Sequence, residues 1–414
     1  MLTTSYYHDL TKLNTFGMKV KARCFIEYDS VADLIDIEFE ELARPVLHIG
    51  GGSNLLFTDD FKGTVLHSKI NFIEIIDECH GDAVEKLNPS NSDELTPTVH
   101  EATDGHGFSN QPRGTLSEDV DSSDSRPENA PEVVLVSVGA GVVFDDFCSW
   151  AAKEGLWGVE NLSYIPGEVG ASAVQNIGAY GVEVKDVIRK VYCYDTQEEE
   201  FVHFDVSECA YGYRDSMFKN PEIKGRYIVT HVVFALSRTP QPKLEYGHLK
   251  EAVAEAVGGS RCVQETPSRD MKDFTQVLTP ALIRKVIIKI RKEKLPEPSV
   301  MGSAGSFFKN PVISKEHFAR IEAIAKAEHG PDCKVPHYDL PDGTVKIPAA
   351  WMIEQCGWKG RRSGNAAVYD KQPLVIVNYT GDAYPEEIIG LEKRIIDSIK
   401  KRFDIELHPE VEHV

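Results

Sequence analysis

The sequence predicts an α+β fold divided among two or three domains. Segments with the apolar spacing of strands and segments with the apolar spacing of helices are interleaved along the 414 residues, without a regular strand–helix–strand repeat. Two glycine-rich loops each follow a separate predicted strand, and a further region begins after Pro296. A chain of this length also exceeds what one hydrophobic core usually holds together.

The composition is that of a globular protein without membrane spans or a nucleic-acid partner. The hydrophobic fraction is 42%, and no apolar run reaches the roughly 18 residues that a transmembrane helix needs. Residues 1–14 lack the apolar stretch of a secretion signal, so we expect a cytoplasmic protein. The net charge of −20 repels phosphate backbones and no basic stripe offsets it, although one basic pocket could still bind an anionic nucleotide.

The eight cysteines predict neither a disulfide framework nor a metal site. They are scattered along the chain without a Cys-x-x-Cys pair, which favours reduced thiols. Cys148, Cys193 and Cys356 stand among apolar or aromatic neighbours, where a free cysteine usually packs as a small hydrophobe.

In the first part of the chain, predicted strands flank a glycine loop and lead to an acidic segment. Residues 46–49 predict a short buried strand, residues 50–54 interrupt it, and residues 55–57 resume an apolar run. Residues 63–76 alternate well enough to form further strands. Residues 77–132 contain 14 acidic residues against 3 basic ones and no long apolar run. Such a segment cannot bury enough apolar surface to offset its ordering entropy, so we predict a mobile acidic insertion.

The rest of the chain carries clear strand and helix patterns. The apolar spacing of residues 144–151 predicts an amphipathic helix. Thr279 is a good N-cap and Pro280 suits a first turn, so a second helix is expected from there to about residue 294. A last helix begins near Pro385. Predicted strands cover residues 133–138, 187–194, 200–204, 227–235 and 403–408, and residues 165–182 are predicted to form a long loop.

The loop at residues 50–54 is suited to a phosphate-bearing ligand. Gly50, Gly51 and Gly52 remove side chains, and consecutive backbone N–H groups can form an anion nest. A plain tight turn is equally compatible with this sequence. The motif is not a P-loop, because no Gly-Lys-Ser/Thr follows, and Gly139-x-Gly141 lacks the third glycine of the dinucleotide fingerprint.

The second glycine loop, residues 165–181, is the more informative one. Its sequence, IPGEVGASAVQNIGAYG, shows no helical or strand period, and its small apolar residues argue against disorder. A loop this long inside a domain is usually functional. We therefore predict that it lies against a large planar ligand.

Four further positions carry charged or reactive groups, each with a plain structural alternative. Arg214 could hold a carboxylate bidentately or pair with Asp215 at the surface. Lys294 could contact a phosphate or only stabilise the end of its helix. Ser306 could donate a proton or be only a turn residue. Glu410 could act as a general acid or base, or lie exposed near the end of the sequence.

Six motifs occur in the order found in one enzyme family. They are NTFG at 14–17, GGGSN at 50–54, the 165–181 loop, GYRDS at 212–216, GSFFKNP at 305–311 and PEV at 409–411. In these motifs the chain resembles UDP-N-acetylenolpyruvoylglucosamine reductase over nearly its whole length, except residues 77–132 and parts of 250–276. The resemblance implies an FAD-binding fold of the vanillyl-alcohol-oxidase type, with a C-terminal domain that closes on the substrate.

The resemblance also implies a reaction. It is the NADPH-dependent reduction of UDP-N-acetylglucosamine enolpyruvate to UDP-N-acetylmuramate, a peptidoglycan precursor, through bound FAD. Ser306 matches the family's proton donor. Arg214 and Glu410 match residues that polarise the enolpyruvyl carboxylate and help to stabilise the enolate-like intermediate, which needs preorganised electrostatics.

By the same resemblance, further residues are expected to bind the cofactor or the substrate. The expected FAD contacts are Gly50, Gly51, Gly52, Ser53, Asn54, Gly170, Ser172, Asn176, Gly178 and Gly181. The expected substrate contacts are Tyr213, Tyr246, Lys294, Asn310 and Gln355, where Tyr246 matches a mobile tyrosine found in one subclass.

The domain organisation follows from the same motifs. Two FAD-binding subdomains cover residues 1–76, together with a C-terminal strand at 403–414, and residues 133–295. The acidic insertion at 77–132 lies between them, and residues 296–402 form the substrate-binding domain. A monomer is the default expectation.

Two alternatives keep a flavin fold but change the function. A related oxidase with a histidine-linked flavin usually carries the histidine just after the glycine loop. Ser53 and Asn54 stand there and His48 precedes the loop, so we expect non-covalent FAD. A non-enzymatic flavin- or sugar-nucleotide-binding protein would often have lost one of the three catalytic candidates. A carbohydrate-surface protein is disfavoured, because the acidic segment has no aromatic sugar platform.

Overall fold

The computed structural model describes residues 1–80, 132–257 and 277–414. The predicted acidic insertion therefore lies almost wholly outside the described residues. Within the described ranges, the strands are β1 (Thr3–Asp9), β2 (Lys21–Tyr28), β3 (Val46–Ile49), β4 (Leu55–Leu56), β5 (Phe61–Ser68), β6 (Ile73–His80), β7 (Glu132–Gly139), β8 (Gly178–Ala179), β9 (Val182–Glu183), β10 (Ile188–Asp195), β11 (Glu200–Asp205), β12 (Tyr227–Ser237), β13 (Gly302–Ser303), β14 (Val312–Ile313), β15 (Tyr338–Asp339), β16 (Val345–Lys346), β17 (Arg362–Ser363), β18 (Ala366–Val368), β19 (Ile376–Asn378) and β20 (Glu412–His413).

Helices alternate with these strands in irregular order. The α-helices are α1 (Val31–Ile35), α2 (Phe144–Lys153), α3 (Val169–Gln175), α4 (Leu249–Ala256), α5 (Pro280–Lys294), α6 (Lys315–His329), α7 (Ala349–Gln355) and α8 (Pro385–Phe403). Short 3-10 turns lie at Thr11–Leu13, Glu160–Leu162, Val184–Asp186 and Met217–Lys219. This order confirms the α+β class that the sequence predicted.

The first sheet positions the first glycine loop, residues 50–54. Its strand order is β1-β2-β5-β3, with β1 antiparallel to β2 and with β5 parallel to both β2 and β3. The loop at residues 50–54 therefore leaves from the carboxyl end of a parallel strand. Ligand-binding loops gather at this end of parallel strands, because their backbone turns away from the sheet there.

The second sheet is antiparallel and has the order β11-β10-β12-β7-β6. Val134, Val136 and Val138 alternate into its core, as the predicted strand requires. Strand β6 pairs with β7, so residues 81–131 connect two neighbouring antiparallel strands. The domain boundary drawn after residue 76 falls within β6, and that strand belongs to the second sheet rather than the first.

The prediction of a loop at residues 165–182 was wrong in part, because helix α3 forms within this range. Val169 and Ala173 are buried against the second sheet, and Gly170 permits close packing, since a Cβ there would lie 2.9 Å from the Cβ of Ala140. The helix ends at Asn176, whose φ is +45°. A seven-residue helix of small side chains has no broad apolar stripe, so its packing could not be inferred from periodicity.

The two long predicted helices are confirmed. Thr279 caps α5 by accepting a hydrogen bond from the Leu282 backbone N–H at 3.2 Å, and Pro280 occupies the first turn. Helix α8 begins at Pro385 and buries its predicted stripe. The stripe consists of Ile388, Leu391, Ile395 and Ile399.

The predicted strand at 403–408 is wrong. Phe403 ends α8, Asp404 takes a left-handed conformation, and residues 405–408 form no strand. Ile405 and Leu407 alternate because one face of this segment packs into the core. Backbone pairing begins at its end, where the Lys309 N–H donates to the His408 carbonyl and Pro409 forms an isolated bridge with Phe308. Strand β20 then runs parallel to β4, and the Glu412 N–H donates to the Asn54 carbonyl. The end of the chain thus returns to the first glycine loop.

Residues from the two ends of the chain share the largest core. It joins Val65 of β5, and Leu10 and Phe16 of the connection between β1 and β2, to side chains after residue 303. The latter belong mainly to α6, α7 and α8 and to the sheet β13-β19-β18-β17. This shared core places the C-terminal region directly beside the loop at 50–54.

Candidate active site

A cavity of about 890 Å³ lies where the two glycine loops meet the C-terminal region. Thirteen predicted site residues line it: Gly50, Gly51, Gly52, Ser53, Asn54, Gly170, Ser172, Gly178, Arg214, Tyr246, Lys294, Ser306 and Glu410. Five others do not line it: Asn176, Gly181, Tyr213, Asn310 and Gln355. The structure therefore brings most of the sequence-predicted residues to one place.

The first glycine loop is shaped by backbone contacts that exclude side chains. Gly52 has φ +58°, and a Cβ there would lie 2.0 Å from the Leu13 carbonyl oxygen. The Gly52 carbonyl accepts from the Thr15 N–H at 3.2 Å. Ser53 Oγ donates to the Pro166 carbonyl at 3.0 Å, which ties this loop to the second one. The two loops thus form one continuous wall of exposed backbone.

This wall fits a flavin dinucleotide. Glycines at 50, 51, 167 and 170 leave backbone without side chains along the cavity, so a planar ligand can approach closely. Arg291 and Lys294, at the end of α5, also line the cavity, and the Arg291 Nε donates to the Tyr164 carbonyl at 3.1 Å. Their positive charge suits an anionic ligand.

Arg214 is held by three partners. Its backbone has φ +55°, and its Nε donates to Glu410 Oε1 at 2.8 Å. Nη2 donates to the Gly178 carbonyl at 2.6 Å, and Nη1 lies 3.5 Å from the Asn176 carbonyl. The alternative pairing with Asp215 is wrong, because that carboxylate accepts from its neighbour's backbone N–H instead. The guanidinium therefore has a fixed orientation in the cavity.

Glu410 joins the glycine loop to the Ser306 segment. Its backbone N–H donates to the Phe307 carbonyl at 2.8 Å, and its own carbonyl accepts from Asn54 Nδ2 at 3.1 Å. Its side chain is 15% exposed, and that of Arg214 is 20% exposed. The ion pair is thus shielded but still open to the cavity.

Ser306 presents its hydroxyl on the cavity wall. It is exposed, and among the described residues it forms no hydrogen bond within the chain. Phe307 and Phe308 are fully buried, and the Phe307 N–H donates to the Leu374 carbonyl at 2.8 Å. These anchors fix the backbone while the hydroxyl stays available to a ligand.

Aromatic residues surround one end of the cavity. Tyr246 stacks on Tyr338 with ring centres 6.5 Å apart, and Tyr180 meets it edge-on. Burial raises the pKa of Tyr246 to about 12, so its hydroxyl stays protonated at neutral pH. The Tyr213 hydroxyl accepts from Asn310 Nδ2 at 3.3 Å, which links the second sheet to the C-terminal region.

Three residues that were predicted to contact a ligand have structural roles within the chain instead. Asn176 ends α3 and donates to the Gly212 carbonyl at 2.7 Å, which supports the turn that carries Arg214. Gly181 has φ +79° in the turn between β8 and β9. Gln355 ends α7 and its Oε1 lies 2.9 Å from the imidazole Nε2 of His329. The structure does not bring Gln355 to the cavity, and its role as a substrate contact stays a prediction.

Sequence reasoning missed Lys219. Its Nζ donates to Gln175 Oε1 and to the Arg214 carbonyl, each at 3.0 Å, and the residue lines the cavity. Burial lowers the pKa of this lysine. A lone lysine five residues after an arginine forms no recognisable pattern, so only the folded turn reveals it.

Comparison with known proteins identifies the family. A model of the C-terminal domain of UDP-N-acetylenolpyruvoylglucosamine reductase matches residues 297–414, and a model of an FAD binding domain matches residues 102–204. A UDP-N-acetylenolpyruvoylglucosamine reductase from Bacteroides fragilis (strain YCH46) is 41% identical over 408 residues, which cover 98% of this chain and 99% of that protein. The chain belongs to the UDP-N-acetylenolpyruvoylglucosamine reductase family.

Other members of this family are also similar to this chain, in sequence or in structure. The reductase from Neisseria meningitidis serogroup C (strain 053442) is 38% identical over 407 residues, covering 98% of this chain and 96% of that protein. The crystal structure of UDP-N-acetylenolpyruvylglucosamine reductase from Thermus caldophilus superposes with a TM-score of 0.55 at 19% identity, over 100% of this chain and 98% of that one. The predicted FAD-binding fold is thereby confirmed.

Family membership defines the class of activity. The chain is an FAD-dependent oxidoreductase of peptidoglycan precursor synthesis, with a small UDP-sugar as substrate. None of the helices in the described ranges is both long and apolar enough to cross a membrane.

Proposed function

We propose that this chain reduces UDP-N-acetylglucosamine enolpyruvate to UDP-N-acetylmuramate with NADPH, and that Arg214, Glu410 and Ser306 act on the substrate. The supporting observation is the ion pair between Arg214 and Glu410, which lies on the same cavity wall as the hydroxyl of Ser306, a group with no hydrogen-bond partner in the described ranges. A cation, a carboxylate and a hydroxyl in one shielded cavity suit a reaction that creates and then protonates an enolate-like charge.

The cofactor would be held by the two glycine loops, chiefly by residues 50–54, Gly170 and Ser172. When bound, FAD would supply the hydride-transfer chemistry between the nicotinamide and the enolpyruvyl carbon. The binding is proposed to be non-covalent. His48 Nε2 lies 2.7 Å from the Tyr28 hydroxyl, and burial lowers its pKa to about 4. This engaged ring supports a structural role for His48 rather than attachment of the flavin.

Arg214 would bind the enolpyruvyl carboxylate and stabilise the charge that develops on it. Its guanidinium is already oriented by Glu410 and by two backbone carbonyls, so little reorganisation is needed when the charge forms. Glu410 would keep Arg214 in place and, together with it, polarise the enolpyruvyl carboxylate and help to stabilise the enolate-like intermediate. The backbone bonds of Glu410 to both neighbouring segments support this positioning role.

Ser306 would donate the proton that completes the reduction. Its hydroxyl has no competing partner among the described residues, and its backbone is fixed by two buried phenylalanines. General acid catalysis needs a donor positioned within hydrogen-bond reach of the reacting atom. A fixed backbone with a free hydroxyl meets that requirement.

The remaining parts of the proposal concern substrate contacts and organisation. Tyr246 and Lys294 line the cavity and would contact the nucleotide part of the substrate. Tyr213, Asn310 and Gln355 are proposed as further contacts that form when the C-terminal region closes on the substrate. The chain would act in the cytoplasm as a monomer, with the domains defined above.

An anaerobic titration tests the proposal. The visible spectrum of the FAD-loaded protein is recorded, NADPH is added until the flavin bleaches, and UDP-N-acetylglucosamine enolpyruvate is then added. Recovery of the oxidised spectrum with formation of UDP-N-acetylmuramate is the expected result. Bleaching without recovery would remove the substrate from the proposal. Failure to bind FAD at all would contradict the site itself.

A further inference from the structure

A buried histidine lies between two carboxylates beside the cavity. His67, on β5, is 2% exposed, and its Nδ1 lies 3.1 Å from Glu27 Oε2. Its Nε2 lies 3.1 Å from Glu168 Oε1. Glu27 is on β2, whereas Glu168 immediately precedes α3 and lines the cavity. The three side chains therefore connect the first sheet to the cavity wall.

The hydrogen-bond geometry requires an additional proton. A carboxylate can only accept, and a neutral imidazole carries one N–H and one unprotonated nitrogen. With neutral His67, one of the two 3.1 Å contacts would place a lone pair against a carboxylate oxygen. Both contacts become hydrogen bonds when the cluster carries one additional proton, either on the second ring nitrogen of His67 or on one of the two carboxyl groups.

Glu168 is also placed unusually for a residue that precedes a helix. It occupies the N-cap position of α3, yet its side chain makes no capping hydrogen bond. One carboxylate oxygen, Oε1, pairs with His67 instead. The other, Oε2, lies beside the first glycine loop, 3.2 Å from where a Cβ on Gly50 would stand. Among the described residues Oε2 has no hydrogen-bond partner, and it borders the cavity.

We propose that Glu27, His67 and Glu168 share one additional proton, and that this cluster presents Glu168 Oε2 as a hydrogen-bond acceptor to a hydroxyl or N–H group of the bound flavin nucleotide. His67 and Glu168 are thus positioning residues for the cofactor. This inference rests on FAD as the cofactor, but not on the substrate or on the roles of Arg214 and Ser306.

The charge balance explains why such a cluster is needed. An isolated carboxylate on the wall of a site for a diphosphate would repel the ligand. The additional proton of the cluster offsets one of the two negative charges. Lys69 Nζ, 3.9 Å from Glu27 Oε2, offsets much of the other. His48, on the adjacent strand, stays neutral because burial lowers its pKa to about 4. Glu168 can therefore accept a hydrogen bond without an uncompensated charge.

A double-mutant cycle on FAD affinity tests the charge coupling. The apoprotein is titrated with FAD, and binding is followed by flavin fluorescence, without NADPH or substrate. His67→Gln keeps a hydrogen-bond donor but removes the imidazole that can carry or share the proton, so the charge of Glu168 is no longer compensated and binding is expected to weaken about tenfold. Glu168→Gln removes the charge but keeps an oxygen acceptor, with an expected loss below about threefold. The double variant should then bind within about threefold of Glu168→Gln alone, whereas additive losses would contradict the coupling.

Two further measurements keep the proposal testable if His67→Gln fails to fold. Glu168→Ala removes the acceptor and is expected to weaken FAD binding about tenfold, and unchanged affinity would overturn the contact. ¹⁵N-histidine NMR of the wild-type apoprotein should show both ring nitrogens of His67 engaged in hydrogen bonds. A ring nitrogen without a hydrogen bond would overturn the shared proton. Glu74→Gln, on the exposed face of β6, is the matched control and should leave FAD affinity unchanged. Loss of FAD binding by the wild type itself would instead contradict the proposed function.

Discussion

Replacing Ser306 by alanine should separate catalysis from stability. The change removes only a hydroxyl that is exposed and unpaired within the described part of the chain. The anchors Phe307 and Phe308 and the backbone bond to Leu374 are untouched. The free energy of unfolding should therefore change by no more than about 0.5 kcal/mol. Flavin binding should be unaffected, because the loops at 50–54 and 165–181 are unchanged.

The effect on the reaction should be much larger. A positioned general acid contributes roughly 10²- to 10⁴-fold to the rate, which corresponds to about 3–5 kcal/mol of the barrier. The loss should fall only on the half-reaction in which the substrate takes up the hydride and the proton. Reduction of the flavin by NADPH should proceed at the wild-type rate, while reoxidation by the enolpyruvyl substrate slows by that factor.

Anaerobic stopped-flow absorbance measures both half-reactions on one sample. Ser314→Ala is a useful contrast, because Ser314 caps α6 by accepting from the His317 N–H at 3.2 Å and does not line the cavity. That variant should lose about 1 kcal/mol of stability and keep both half-reactions. Equal slowing of the two half-reactions in Ser306→Ala, or a large drop in its stability, would show that Ser306 is structural.

Three further outcomes follow from the geometry. Arg214→Lys replaces a planar guanidinium, which can bind a carboxylate through two hydrogen bonds, by a single ammonium. Reoxidation of the flavin by the substrate should therefore slow roughly 10²-fold, while reduction of the flavin by NADPH is intact. An unchanged rate of reoxidation would contradict this role of the guanidinium. Gly52→Ala should destabilise the protein by about 1–3 kcal/mol and weaken FAD binding, because position 52 has a positive φ and an added Cβ would clash with the Leu13 carbonyl. Gly51→Ala is the control, since a Cβ there would lie 3.5 Å from the nearest heavy atom, and its thermal melt should match that of the wild type. Burial lowers the pKa of His231 to about 4 from 6.5, so the folded state resists its protonation. The contribution of this neutral ring to the free energy of unfolding is complete above pH 6.5 and is lost as the pH falls toward 4. In denaturant unfolding over that pH range, the free energy of unfolding of His231→Phe should therefore fall by about 1–3 kcal/mol less than that of the wild type.

Several elements were predictable because their cause is local. Thr279 and Pro280 mark the start of α5, since a cap and a first-turn proline act within one turn of helix. The strands of the second sheet were predictable because their side chains alternate between a core and a second face. Ser306, Arg214 and Glu410 were found through motifs whose order along the chain matches one family.

Other features were decided by contacts between distant residues. Helix α3 forms because Gly170 can pack against Ala140, a contact that no local pattern shows. The alternation of Phe403, Ile405 and Leu407 suggested a strand, but it reflects packing of an extended segment into the core. Periodicity reports which side chains are buried, and it does not report whether a backbone partner is present.

The fold class, the two glycine loops and the family motifs could be predicted from the sequence, because these depend on residue type and on spacing along the chain. The pairing of Arg214 with Glu410, 196 positions away, rather than with adjacent Asp215, is visible only in the folded protein. The same is true of the contacts by which His67 joins Glu27 to Glu168. Such pairings depend on distances in space between segments that are far apart in sequence, and hydrogen bonds and ion pairs are governed by those distances.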